Sequence, residues 1–154
     1  MPNEYAMIRE FAGNDIEGVQ GLIASVPEAA AWSAGDLLLA LRNNLSLRVA
    51  EEHGSICGVI IFRVMADEAE ILNLAVASDL RHRGIGSLLL EEAIRVSKAA
   101  RAQKIFLEVR ESNEPAHCPR RVPSLSKAKL PAGVLVSSAK MSILFLLPVP
   151  PCLN

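Results

Sequence analysis

A chain of 154 residues, 51% hydrophobic and 21% charged, is long enough for one domain with a sizeable buried core and reads as soluble and globular. Its formal net charge of −1 provides no field that favours nucleic acid or an anionic membrane, so neither is expected as a partner. Three cysteines (Cys57, Cys118, Cys152) make no disulfide framework and fit a reducing cytoplasm. The start, Met1-Pro2-Asn3-Glu4, lacks the basic and apolar regions of a signal peptide, and no apolar stretch reaches the ~18–20 residues of a membrane span.

Tyr5 to Phe11 reads as a first strand. Asp15 to Ser25 reads as a helix with Ile16, Val19, Leu22 and Ile23 on one face and Asn14 or Asp15 as its cap. Ser33 is placed to cap a second helix that turns Leu37, Leu38 and Leu41 inward. Leu45–Ala50 and Ile56–Val64 alternate as strands around a turn at Glu52-His53-Gly54-Ser55. Met65-Ala66-Asp67-Glu68 is a second turn, followed by a strand that runs through Val76. A helix follows in which Ile85, Leu88, Leu89, Ala93, Val96 and Ala100 share a face. Glu91, Glu92, Arg95 and Lys98 face water there, with Glu91 and Arg95 at i,i+4 spacing. Lys104 to Arg110 reads as the next strand, with Ile105, Leu107 and Val109 on one side and Phe106, Glu108 and Arg110 on the other. These elements predict a mixed sheet flanked by helices, with one right-handed β-α-β crossover.

The chemistry concentrates at the crossover. Arg81-His82-Arg83-Gly84-Ile85-Gly86 joins the strand ending at Val76 to the helix. A strand, a glycine-bearing turn and a helix start expose main-chain N–H groups to a phosphate, and glycines 84 and 86 let the backbone come close. No Gly-Lys-Ser/Thr follows, so this is not a Walker loop, and the third glycine and distal acid of a dinucleotide fingerprint are absent.

From Glu70 to Ala116 the chain resembles the GNAT superfamily of acyl-CoA-dependent N-acetyltransferases, whose signature Arg/Gln-x-x-Gly-x-Gly/Ala is met by Arg81, Gly84 and Gly86. More narrowly it is similar to the bacterial ribosomal-protein N-terminal alanine acetyltransferases. Asn73-Leu74-Ala75-Val76, Leu107-Glu108-Val109-Arg110-Glu111-Ser112-Asn113 and Trp32-Ser33 carry that likeness. The resemblance implies an α/β (α+β sandwich) fold with a mostly antiparallel central sheet. It implies acetyl-CoA as co-substrate and no metal. Arg81, His82, Arg83, Gly84, Ile85, Gly86 and Ser87 would hold the pyrophosphate. Leu74, Ala75, Val76 and Asn113 would line the pantetheine arm, in a gap where the strand Asn73–Val76 splays from Lys104–Arg110. It implies Glu108 as general base, accepting the amine proton directly or through a water, and main-chain polarisation of the thioester carbonyl.

Other residues read more plainly. His82 faces solvent or phosphate, His53 is a turn residue, and Cys57 is core. His117, Cys118 and Cys152 lack metal-ligand spacing. Trp32 lines either the acceptor groove or the core.

The resemblance ends near Ala116. In the family an Ala-Leu-Tyr-x-x-x-Gly-Phe helix comes next, its tyrosine the general acid, and then two strands. Here His117-Cys118-Pro119-Arg120-Arg121-Val122-Pro123 follows, where two prolines defeat a continuous helix. Tyr5 is the sole tyrosine. All 17 acidic residues precede residue 117, against 11 of the 16 basic ones, so residues 1–116 carry −6 and the remainder +5. The expected domains are therefore an acetyltransferase domain at 1–116 and a non-family tail at 117–154, from a shifted reading frame or a divergent terminus. The family's last helix and strands would be altered or missing. Ile143–Leu147 suits a strand and is also an aggregation-prone run.

Four functions follow. The first is acetylation of a protein or peptide N-terminus, with a ribosomal-protein alanine as the model acceptor. The second is acetylation of a small amine. The third is an impaired acyl-CoA-binding module, and the fourth an inactive product that aggregates. Oligomeric state is unspecified by the sequence.

Overall fold

The computed structural model describes residues 6–26, 29, 31–108, 134–138 and 141–146. In chain order these form β1 (Met7–Glu10), α1 (Ile16–Ser25), α2 (Ala34–Arg42), β2 (Ser46–Glu52), β3 (Ser55–Met65), β4 (Glu68–Val76), α3 (Ile85–Ala99), β5 (Lys104–Glu108), β6 (Val134–Ser138) and β7 (Met141–Leu146). Short 3-10 turns at Gly13–Asp15 and Ser78–Leu80 precede α1 and α3.

Local chemistry sets the middle of the sheet. His53 and Gly54 both take positive φ, 51° and 78°, which suits a two-residue hairpin turn between β2 and β3. Ala66, at φ 54°, turns the chain from β3 into β4. The sheet runs β1-β2-β3-β4-β5-β7-β6, and every adjacent pair is antiparallel except β4 and β5. Those two are parallel and joined through α3, which is the expected crossover.

Alternation along β3 assigns its two faces. Ile60 and Phe62 pack with Ile71, Leu89, Ala93 and Ile105 under α3. Val59 and Ile61 pack with Val19, Ile23, Leu37 and Val49 under α1 and α2. The sheet is thus the middle of three layers, as expected for a mixed sheet flanked by helices.

Two bulges interrupt the register. Ala50 pairs with Gly58 and Glu51 with Ile56, so Cys57 is extra on β3. Ile61 pairs with Asn73 and Phe62 with Ile71, so Leu72 is extra on β4. The second bulge reverses the strand's parity. Ala69 and Ile71 pack on the α3 side before it, while Leu74 and Val76 do so after it.

Several details depart from the sequence reading. Asp15 does not cap α1. Its carboxylate takes two hydrogen bonds from Arg9, at 2.7 and 2.8 Å, and one from the Ala12 N–H at 2.8 Å. The Arg9 hydrogen bonds hold that carboxyl below the usual carboxylate range, against the opposing effect of burial. Ser33 does cap α2: its hydroxyl accepts from the Asp36 N–H, and the Asp36 carboxylate accepts from the Ser33 N–H. The inward stripe of α2 is Leu37 and Ala40, however, while Leu38 and Leu41 are exposed. Three leucines in a row leave the phase open, and packing selects one of them.

In α3 the buried stripe is Ile85, Leu89, Leu90, Ala93, Ile94 and Ser97. Ala100 is exposed, and Leu88 and Val96 are half-buried, because the helix is rotated toward Leu90 and Ile94. Arg95 pairs with Glu92 at 2.8 Å, not with Glu91. Arg48 of β2 reaches the same carboxylate at 3.3 Å, so Glu92 ties the helix to the sheet.

The anticipated strand near Ile143–Leu147 appears as β7, paired with β5 from Lys104↔Leu146 to Glu108↔Ser142. Two strands, β6 and β7, thus follow β5 in the described backbone. The segment around Pro119 and Pro123 lies outside the described residues.

Candidate active site at the loop after β4

Two features of the main chain build the site. The first is the bulge in β4. The described pairing of β4 to β5 runs from Glu68↔Lys104 to Ile71↔Leu107, and β5 is described as far as Glu108. Directly after Ile71 comes the extra residue Leu72, which adds local twist to β4. The stretch Asn73–Val76 keeps its pairing to β3, with Asn73↔Ile61, Leu74↔Ile60, Ala75↔Val59 and Val76↔Gly58. The expected splay of Asn73–Val76 from Lys104–Arg110 concerns residues beyond Glu108, which lie outside the described residues.

The second feature is the start of α3. Gly84 is its N-cap at φ 82°, a left-handed conformation that a side chain would oppose. The first helical bond in this turn runs from the Leu88 N–H to the Gly84 carbonyl at 3.0 Å. The N–H groups of Ile85 and Gly86 stand ahead of it with no acceptor inside the helix. The first turn of α3 carries no acidic residue, and Arg81, His82 and Arg83 precede it. A helix dipole, main-chain donors and local positive charge converge where β4 leaves the sheet.

Close packing holds that helix start in place. A Cβ on Gly58 would lie 2.9 Å from Leu89 Cδ1 and 3.1 Å from Ile85 Cγ2, so β3 and the first turns of α3 meet more closely than a side chain at residue 58 allows without a shift of its neighbours. The sequence profile of the acetyltransferase (GNAT) family matches residues 17–117 of this chain. The chain belongs to the GNAT acetyltransferase family. It falls, as its family does, among the acyl-CoA-dependent N-acetyltransferases.

This GNAT chain is 29% identical over 113 residues to a Bacillus subtilis protein named for ribosomal protein bS18-alanine N-acetylation, covering 72% of the chain and 74% of that protein. It is 37% identical over 87 residues to the Haemophilus influenzae ribosomal protein bS18-alanine N-acetyltransferase, covering 53% of the chain and 56% of that enzyme. The chain thus spans little more than half of the second relative. Among solved structures, the PaiA N-acetyltransferase of Thermoplasma acidophilum, crystallised with coenzyme A, shares the fold with a TM-score of 0.71 at 18% identity. That match covers 92% of this chain and 99% of that one.

The remaining sequence-named residues of the GNAT chain fall as follows. Leu74 is half-buried, while Ala75 and Val76 are buried near the end of β4. His82 is exposed and takes φ 65°. The Arg83 guanidinium is engaged by Glu52 of β2 at 2.8 Å, a partner nothing local in the sequence announces. Glu108 ends the described part of β5, paired through its backbone with Ser142, and its side chain lies outside the described residues. Asn113 lies outside them altogether, as do His117, Cys118 and Cys152.

Cys57 is buried, and its thiol donates to the Ala50 carbonyl at 3.3 Å. Burial, then the nearby Glu52 charge, pushes that thiol up, which suits a core residue and not a nucleophile. Trp32 packs at the edge of the core under α1 and α2. Among the described residues no three His, Cys, Asp or Glu side chains are grouped to hold a metal ion. Nor is any helix among them long and apolar enough to cross a membrane.

Proposed function

We propose that the chain transfers an acetyl group from acetyl-CoA to a primary amine, and that this amine is the N-terminal α-amine of a protein, with a ribosomal-protein alanine as its model. The observation that carries the reading is the glycine-capped start of α3, reached by a short loop from the end of β4. A diphosphate fits the main-chain donors of residues 81–87, and an extended amide-bearing arm fits beside Leu74–Val76. The coenzyme A complex of the Thermoplasma acidophilum protein and the names of the bacterial relatives support the same assignment.

In this reading both substrates are bound together. The amine nitrogen, once neutral, attacks the thioester carbonyl carbon, and its proton passes to Glu108 directly or through one water. A β4 main-chain N–H stabilises the oxyanion. The C–N bond forms, the C–S bond breaks, and the thiolate leaves and is protonated. Tyr5 is the sole tyrosine, so that last proton comes from a donor other than the family's helix tyrosine. Asn113 is assigned to the pantetheine arm. The family domain is assigned to residues 1–116, and residues 117–154 to a tail of separate origin. The abrupt loss of acidic residues supports this, and translation of the gene's other two frames around codon 116 tests it. A cytoplasmic location follows from a ribosomal acceptor.

Calorimetric titration with acetyl-CoA, followed by a thiol-release assay on an Ala-starting peptide and on a small amine such as spermidine, separates the readings. Binding with peptide-dependent release is expected. Release only with the small amine selects the second acceptor class, and binding without release selects an impaired acyl-CoA module. Glu108→Gln is expected to lower turnover by about 10²- to 10⁴-fold at nearly unchanged cofactor affinity; unaltered turnover removes Glu108 from the role.

A further inference from the structure

The loop between β4 and α3 is fastened to the β2–β3 hairpin at two points. The Ala77 N–H donates to the Cys57 carbonyl at 2.9 Å. Further along, Arg83 Nη2 lies 2.8 Å from Glu52 Oε1 and Nη1 lies 3.3 Å from Oε2. Glu52 is the last residue of β2, directly before the turn, and its side chain is 8% exposed against 39% for Arg83. Arg83 stands between two left-handed residues, His82 at φ 65° and Gly84 at φ 82°. For histidine that conformation is intrinsically unfavourable and persists where the surroundings impose it. The Arg83 side chain is one such restraint, since its planar fork fixes direction as well as distance.

We propose that Glu52 and Arg83 form a positioning strut that sets the main chain of residues 82–86 in its phosphate-receptive shape. Arg83 then contributes to the cofactor site through its backbone, while its guanidinium stays on Glu52. The inference rests on the coenzyme A reading above. A guanidinium that swung to a diphosphate would strand a nearly buried carboxylate beside an incoming anion, with desolvation and like-charge repulsion both unfavourable. Glu52 has no place in the family signature and lies 31 residues from Arg83, so only the folded chain brings them together.

Calorimetric titration of the full chain with coenzyme A tests the strut, using the native sequence, Glu52→Gln, Arg83→Gln and the double variant. If the receptive loop population falls to about a tenth, the apparent Kd rises about tenfold. The strut predicts the same factor for both single variants and no further loss in the double, because one interaction is removed each time. A phosphate-binding Arg83 predicts otherwise: Arg83→Gln weakens binding while Glu52→Gln leaves it unchanged or tightens it. That pattern overturns the proposal, as do unchanged affinities in both single variants. Should the Gln variants fail to fold by circular dichroism, Arg83→Lys decides, since it keeps the charge and loses the fork. A several-fold weaker Kd sustains the strut, and native affinity overturns it. Absence of heat with the native sequence overturns the coenzyme A reading and the strut together, which separates that failure from failure of the strut alone.

Discussion

Gly58→Ala probes the contact that seats α3 on the sheet. The new methyl would sit 2.9 Å from Leu89 Cδ1, 3.1 Å from Ile85 Cγ2 and 3.3 Å from Ala50 Cβ. All three neighbours are essentially inaccessible to solvent, so none can swing outward. Overpacking of this kind costs about 1–3 kcal/mol. Replacing a strand glycine returns about 0.5–1 kcal/mol by restricting the unfolded chain. The net expectation is a loss of about 1–2 kcal/mol, or about 3–6 °C in Tm for a chain of this size. Because Ile85 opens α3, coenzyme A affinity should fall with it, by about threefold if the receptive loop population drops to about a third. Thermal denaturation and calorimetry measure the two effects. The matched control is Gly21→Ala, on an exposed face of α1 with nothing within 4 Å of its Cβ, where a gain of about 0.5–1 kcal/mol is expected. A Gly58→Ala protein that melts at or above the native temperature refutes the claim that close approach fixes this helix.

Asp15→Asn should cost about 2–3 kcal/mol at neutral pH, less than the ~3–5 kcal/mol of a fully buried pair because Arg9 is 31% exposed. The Asp15 carboxyl is held below its ordinary range, so its stabilisation is complete above about pH 4 and is lost as pH falls through the folded value. Urea titrations at pH 7 and pH 3 should therefore show the gap between native and Asn proteins narrowing in acid; a constant gap contradicts the assignment. Ser33→Ala removes the α2 cap and should cost about 1 kcal/mol by thermal melting, whereas Ser33→Thr should cost less.

Much of the architecture is legible in the sequence because its signals are local. Alternation sets β2 and β3, His53-Gly54 sets their turn, and Gly84 sets the start of α3. The splay of β4 from β5 is an expectation of family resemblance that concerns residues outside the described ones, and the extra residue at Leu72 is a feature that no periodicity count isolates. Phase is the weak point of helix reading. Leu37, Leu38 and Leu41 are chemically alike, and burial divides them only through what α2 packs against. The pairs Arg9–Asp15, Arg48–Glu92 and Arg83–Glu52 are not legible in the sequence because each partner choice is a tertiary matter. Residues such as Asp15 carry a plausible local role that a non-local partner displaces. Of the assigned site, residues 74–76 and 81–87 come together around the end of β4, and Glu108 enters through its backbone alone.

The surplus residue at Leu72 has an evolutionary corollary. A single-codon deletion there would restore uninterrupted alternation while leaving Ile71, Leu74 and Val76 on the α3 side and their partners on β3 unchanged. The hydrophobic pattern therefore accommodates either length, and only the local twist of the strand tells the two apart. Length at this one point of the gene is a variable that substitution of Leu72 by another apolar residue would not reveal.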